Sequence, residues 1–66
     1  MAMEPSLRLL LALHVAAEDR EEEALRQGLR EVATMLPERE GDRVARALYA
    51  SLDANGRGWL AKVAGY

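Results

Sequence analysis

Apolar and polar positions divide the chain into segments of helical period. At about 100° per residue, Leu7, Leu10, Leu11, His14 and Val15 share one broad face, while Leu9, Leu13 and Ala17 share a second. Only Arg8, Ala12 and Ala16 line the remainder, so the pattern predicts a buried helix, apolar nearly all round. Glu4-Pro5-Ser6 supplies its start, because a proline in the first turn lacks an N–H that would have no intrahelical partner. This helix is expected over about residues 5–18.

A second helix is expected over residues 20–36. Leu25, Leu29, Val32 and Leu36 recur at helical spacing, with Arg26, Gln27, Arg30, Glu31 and Thr34 on the opposite face. Asp19 reads as its N-cap, with Glu22 reaching back, and Glu21–Glu23 lie near the positive end of its dipole. No glycine or proline breaks residues 18–23, so a tight corner and one continuous helix both fit; the corner is the reading adopted. Gly28 costs about 1 kcal/mol relative to alanine inside a helix, and close approach of a neighbouring helix is the expected reason for it.

Pro37 pushes the residue before it out of helical conformation, so residues 37–41 read as a loop. Asp42 is then the cap of a third helix, expected over residues 43–53, with Val44, Ala47, Leu48 and Leu52 on its apolar face. Asp53-Ala54-Asn55-Gly56 reads as a helix stop, followed by a short turn over residues 59–64 that carries Trp59, Leu60 and Val63. The expected fold is all-α. It is a single domain over residues 1–66: a helical hairpin, a third helix and a short C-terminal turn, forming half of a homodimeric bundle.

Composition narrows the chemistry. The chain has 66 residues, no cysteine and one histidine, which excludes disulfides, thiolate metal sites and histidine-rich ones. No metal or other cofactor is expected. A formal net charge of -2 gives no general pull toward nucleic acid or membrane. The apolar run Leu7–Ala17 is far short of the about 20 residues that span a bilayer, and Glu4 stands where a secretory signal would be basic. A cytoplasmic location is the expectation. Arginine supplies eight of the nine basic residues and alanine is abundant, the bias of a GC-rich bacterial or phage genome.

Catalytic groupings are weak. Glu18, Asp19, Glu21, Glu22 and Glu23 read as a solvated helix start, since nothing places them in a cleft that would shift a pKa. Ser6, Ser51 and Thr34 have no glycine-framed nucleophile turn around them, and His14 reads as a core histidine with one satisfied nitrogen. Asp53, Asn55, Gly58 and Leu60 resemble the opening of an EF-hand loop. Arg57 stands where that loop needs an oxygen ligand and Ala64 where it needs a glutamate, so calcium binding is not expected. The chain is not expected to be an enzyme.

Binding is the expected function. Two single-faced helices can cover only one side of the first helix, leaving Leu9, Leu13 and Ala17 as a dimer seam. All three aromatics lie in the last 18 residues, and Tyr49, Arg57, Trp59 and Tyr66 have the side chains that dominate protein–protein hot spots. A homodimeric adaptor, inhibitor or anti-activator that sequesters a regulator or enzyme is the favoured reading. The alternative is a small nucleic-acid-binding regulator using Arg39, Arg43, Arg46 and Lys62. Residues 39–66 carry five basic and three acidic side chains, hence +2.

Overall fold

A computed structural model describes residues 4–65. They form an all-α domain of four helices: α1 Pro5–Glu18, α2 Glu22–Met35, α3 Glu38–Ser51 and α4 Ala54–Ala64. Among the described residues there is no strand. The radius of gyration is 11.0 Å, close to the ~11 Å of a self-contained chain of this length.

Each helix begins where local chemistry allows. α1 opens with Pro5 in its first turn, as expected. It ends in a corner, not a continuation into α2. The Glu21 N–H donates to the Ala16 carbonyl at 2.8 Å and the Arg20 N–H to the Ala17 carbonyl at 3.3 Å, the two bonds of a Schellman turn. Arg20 occupies the left-handed position of that turn with φ 55°. Its guanidinium also donates to the Ala17 carbonyl, so the arginine itself caps the end of α1. The expected Asp19 cap does not form. Glu21 is the N-cap of α2 and makes no side-chain capping bond, while Glu22 and Glu23 lie in the first turn, where the dipole favours them.

The third helix begins earlier than its composition suggests. Pro37, with φ -58°, is the N-cap of α3, and Gly41 and Asp42 lie inside the helix. The expected loop at residues 37–41 is thus helical from Glu38. Glu38 and Glu40 in its first turn offset the exposed N–H groups. Gly41 is tolerated because α2 passes close by: a β-carbon there would meet Val32 Cγ1 at 3.3 Å. The last corner corrects a second expectation. Asp53 does not stop a helix but starts one, its Oδ1 accepting from the Gly56 N–H at 2.7 Å. The expected turn at 59–64 is the second half of an 11-residue helix that Gly65 closes with φ 77°.

α1 is the wall against which the other helices pack. α2 folds back along α1 across the first corner, with Gly28 against Leu13, and α1 and α3 lie side by side and run in the same direction. Two polar contacts pin that pair at both ends: Ser6 Oγ lies 3.0 Å from Glu40 Oε2, and His14 Nδ1 lies 2.9 Å from Ser51 Oγ. The core is made of Leu9, Leu13, Ala16 and Ala17 from α1, Leu25 and Val32 from α2, Val44 and Leu48 from α3, Leu52 from the following corner, and Leu60 from α4. Leu13, Leu25, Leu48 and Leu60 are fully buried. No buried side-chain polar atom among the described residues lacks a partner.

This core reverses the expected orientation of α1. Leu9, Leu13 and Ala17 are not a seam between two chains; they are 5%, 0% and 0% exposed within one. Of the face that α2 and α3 were expected to cover, Leu10 and His14 are half-buried, and Leu7, Leu11 and Val15 are left outside, 48%, 47% and 55% exposed. Each face is apolar enough to be buried. The small residues Ala16 and Ala17 decide between them, because they let the C-terminal half of α1 sit deep among Leu25, Leu48 and Leu60.

Candidate functional site

Three surface features carry the exposed apolar, aromatic and basic side chains. The first is the outer face of α1. Leu7, Leu11 and Val15 follow one another at a spacing of four residues, so they form a single stripe along the helix. Half-buried Leu10 connects the stripe to α3, where Leu7 and Leu10 line a shallow depression with Val44 and Ala47. Ser6, Glu4, Glu40 and Arg43 rim its upper end. Arg43 is paired with Glu40 at 3.3 Å.

The lower end of the same face holds a hydrogen-bonded chain of three residues. His14 Nδ1 meets Ser51 Oγ at 2.9 Å, and His14 Nε2 meets Glu18 Oε1 at 3.2 Å. His14 is therefore half-buried with both ring nitrogens engaged, instead of being a core histidine with one. The order of residues resembles a hydrolytic triad, but the hydroxyl is shared. Ser51 Oγ lies 2.7 Å from the Leu48 carbonyl as well as 2.9 Å from His14 Nδ1, so the two compete for its single hydrogen. A backbone carbonyl that competes for the hydroxyl proton weakens its activation by the imidazole. Ser51 is also the last residue of α3, where the helix dipole disfavours a developing oxyanion. The trio is a clasp between α1 and α3.

The second feature joins two of the four residues expected to meet a partner. The Arg57 guanidinium lies 4.7 Å from the centre of the Tyr49 ring, and Arg57 Nε donates to the Tyr49 carbonyl at 2.9 Å. Tyr49 is 47% exposed. Ala54, Gly58 and Ala61 line a shallow depression beside the pair. Trp59 is elsewhere: it is half-buried against the core, with the Arg20 guanidinium 5.7 Å from its ring centre. Tyr66, the fourth residue expected here, lies outside the described residues.

The third feature is the outer face of α3. Arg39, Arg43 and Arg46 do come together there, around one depression, but Glu38 and Asp42 stand between them. Lys62 is on α4 and does not line that depression. Among the described residues, no group of three or more histidine, cysteine or carboxylate side chains is placed to hold a metal ion. None of the described helices is long and apolar enough to cross a membrane. The segment resembling an EF-hand opening is the first half of α4, and Asp53 spends an oxygen on the Gly56 N–H.

Sequence reasoning missed the outer stripe of α1 because it assigned that face to the interior. The Arg20–Trp59 pairing had no signal in the sequence. Comparison with protein-family models, curated protein sequences and solved structures finds no match to this chain.

Proposed function

We propose that this chain is a small protein-binding module, a bacterial or phage adaptor or inhibitor, and that the outer face of α1 is where it associates with a second copy of itself. The observation that carries this reading is the stripe of Leu7, Leu11 and Val15, each about half exposed on a helix whose opposite side is already buried. Fully covering one such side chain gains about 1.5–3 kcal/mol relative to leaving it in water, so a stripe of half-covered ones is a substantial driving force. The stripe is self-complementary. Leu7 and Val15 stand four residues either side of Leu11, so a two-fold axis at Leu11 sets Leu7 of one copy against Val15 of the other. A standard interface takes about 800 Å² from each partner. That is a large share of the 4658 Å² this chain exposes, so the adjoining Leu10 and Ala47 would be included.

The test is the light-scattering mass of the purified chain over a range of concentrations, beside a Leu11→Glu variant. The expected result is a dimer that Leu11→Glu converts to a folded monomer, because residue 11 takes no part in the core. A wild-type chain that stays monomeric throughout removes the reading.

A further inference from the structure

We infer that Arg57, held on Tyr49, is a recognition site for a carboxylate group of a protein partner. The inference uses no residue of the α1 stripe and does not depend on self-association. It starts from how the guanidinium is held. The guanidinium sits over the Tyr49 ring, 4.7 Å from its centre, and the Nε bond of 2.9 Å to the Tyr49 carbonyl anchors it at a second point. A free arginine loses considerable rotamer entropy when it binds; here much of that loss is already incurred in the folded chain.

Arg57 has donors to spare. A guanidinium carries five N–H groups, and Nε uses one of them. Among the described residues, neither terminal nitrogen of Arg57 has a hydrogen-bond partner, and no carboxylate lies within ion-pair distance of it. Neither is it a buried atom without a partner, so solvent reaches both. The other arginines that contact a described group differ. Arg26 and Arg43 are paired with Glu22 and Glu40, and Arg20 donates to the Ala17 carbonyl with its terminal nitrogen. Arg57 alone of these presents its fork unpaired.

The surroundings favour a carboxylate carried on another chain. The adjoining depression is lined by Ala54, Gly58 and Ala61, none of which reaches past its β-carbon, and nothing lies within 4 Å of where a β-carbon on Gly58 would be. A backbone can therefore approach closely next to the fork. The half-exposed Tyr49 ring gives the same partner an apolar surface. A planar carboxylate matches two parallel N–H groups of the guanidinium, the geometry in which arginine binds it best.

The experiment is a nitrogen-edited NMR titration of the whole chain with sodium acetate, against sodium chloride at equal ionic strength and against inorganic phosphate. Acetate is expected to move the Arg57 Nε–H and the Gly58 amide several-fold more than chloride does, and more than it moves Arg39, Arg43 or Arg46. Tyr49→Phe keeps the stack and should keep the response; Arg57→Lys keeps the charge and should lose it. An Arg57 response equal to that of Arg39, or equal in acetate and chloride, overturns the proposal. A stronger response to phosphate than to acetate overturns the assignment to carboxylate. A response retained in Arg57→Lys shows attraction to charge alone and also overturns it.

Discussion

Gly28 lies directly against Leu13: a β-carbon at position 28 would come within 2.7 Å of Leu13 Cδ2 and 3.3 Å of its Cγ. This contact sets how closely α1 and α2 approach. Leu13 is fully buried, so any shift of its side chain must be taken up by its neighbours in the core. Gly28→Ala should therefore destabilise the fold, although alanine is the better helix former by about 1 kcal/mol. Overpacking costs about 1–3 kcal/mol, so the expected net loss is about 1 kcal/mol. Urea denaturation monitored by circular dichroism measures it, and an unchanged or raised midpoint would show that the two helices have slack between them.

The opposite sides of α1 should respond to truncation with very different losses. Leu13→Ala empties the centre of the core and should cost about 2–5 kcal/mol, enough to unfold a domain this small. Leu11→Ala removes a half-exposed side chain and should cost the monomer well under that. The thermal midpoints of the two variants at low protein concentration decide the matter. Equal losses would mean that the outer face is packed as tightly as the inner one.

Arg20 takes a backbone conformation that usually falls to glycine. A non-glycine residue there carries about 1–2 kcal/mol of strain, and the Trp59 stack returns about 0.5–1 kcal/mol of it. Arg20→Gly should therefore be close to wild type, while Arg20→Ala loses the stack and keeps the strain. The expected order of stability is glycine above alanine by about 1 kcal/mol, read from the same denaturation curves. Alanine matching glycine would refute the left-handed corner.

Asp53→Ala removes the only side-chain N-cap found among the described helices and should cost about 0.5–2 kcal/mol. Asp53→Asn keeps an oxygen in place and should cost much less. Amide hydrogen exchange at Gly56 reports the cap directly, since its N–H is the donor. Faster exchange is expected in the alanine variant alone.

The helical period of the first half was legible because leucine spacing is a tertiary signal: side chains that must be buried recur where the core recurs. The expected bounds for α1 match those found, and those for α2 differ by one or two residues at each end. Residues with two conformational uses misled the reading of the second half. Pro37 ends one helix and caps the next with the same fixed φ, so the space it was thought to need as a loop does not exist. Asp53 and Gly56 suit a helix end and a helix start alike, and only the Oδ1 to N–H bond distinguishes them. Gly41 has the look of a breaker but marks a close crossing over Val32.

The orientation of α1 was not legible, for a different reason. A helix with two apolar sides encodes no preference until its neighbours are known, and the preference rests on shape, through Ala16 and Ala17. The candidate site shows the same division. The meeting of Tyr49 with Arg57 joins residues eight apart across a corner, near enough in the chain for their types to suggest it. Arg20 finding Trp59 depends on the whole course of the chain between them.

Because α1 serves as the common wall, the domain's architecture is radial and not sequential. α2 and α3 are amphipathic spokes, and α4, through Leu60, joins them on the same hub. A chain shortened from its N-terminal side past the first corner would keep the two amphipathic helices α2 and α3, with α4, and lose the surface that organises them. Its remaining leucines would face water, making such a fragment an aggregating species and not a smaller version of the same protein.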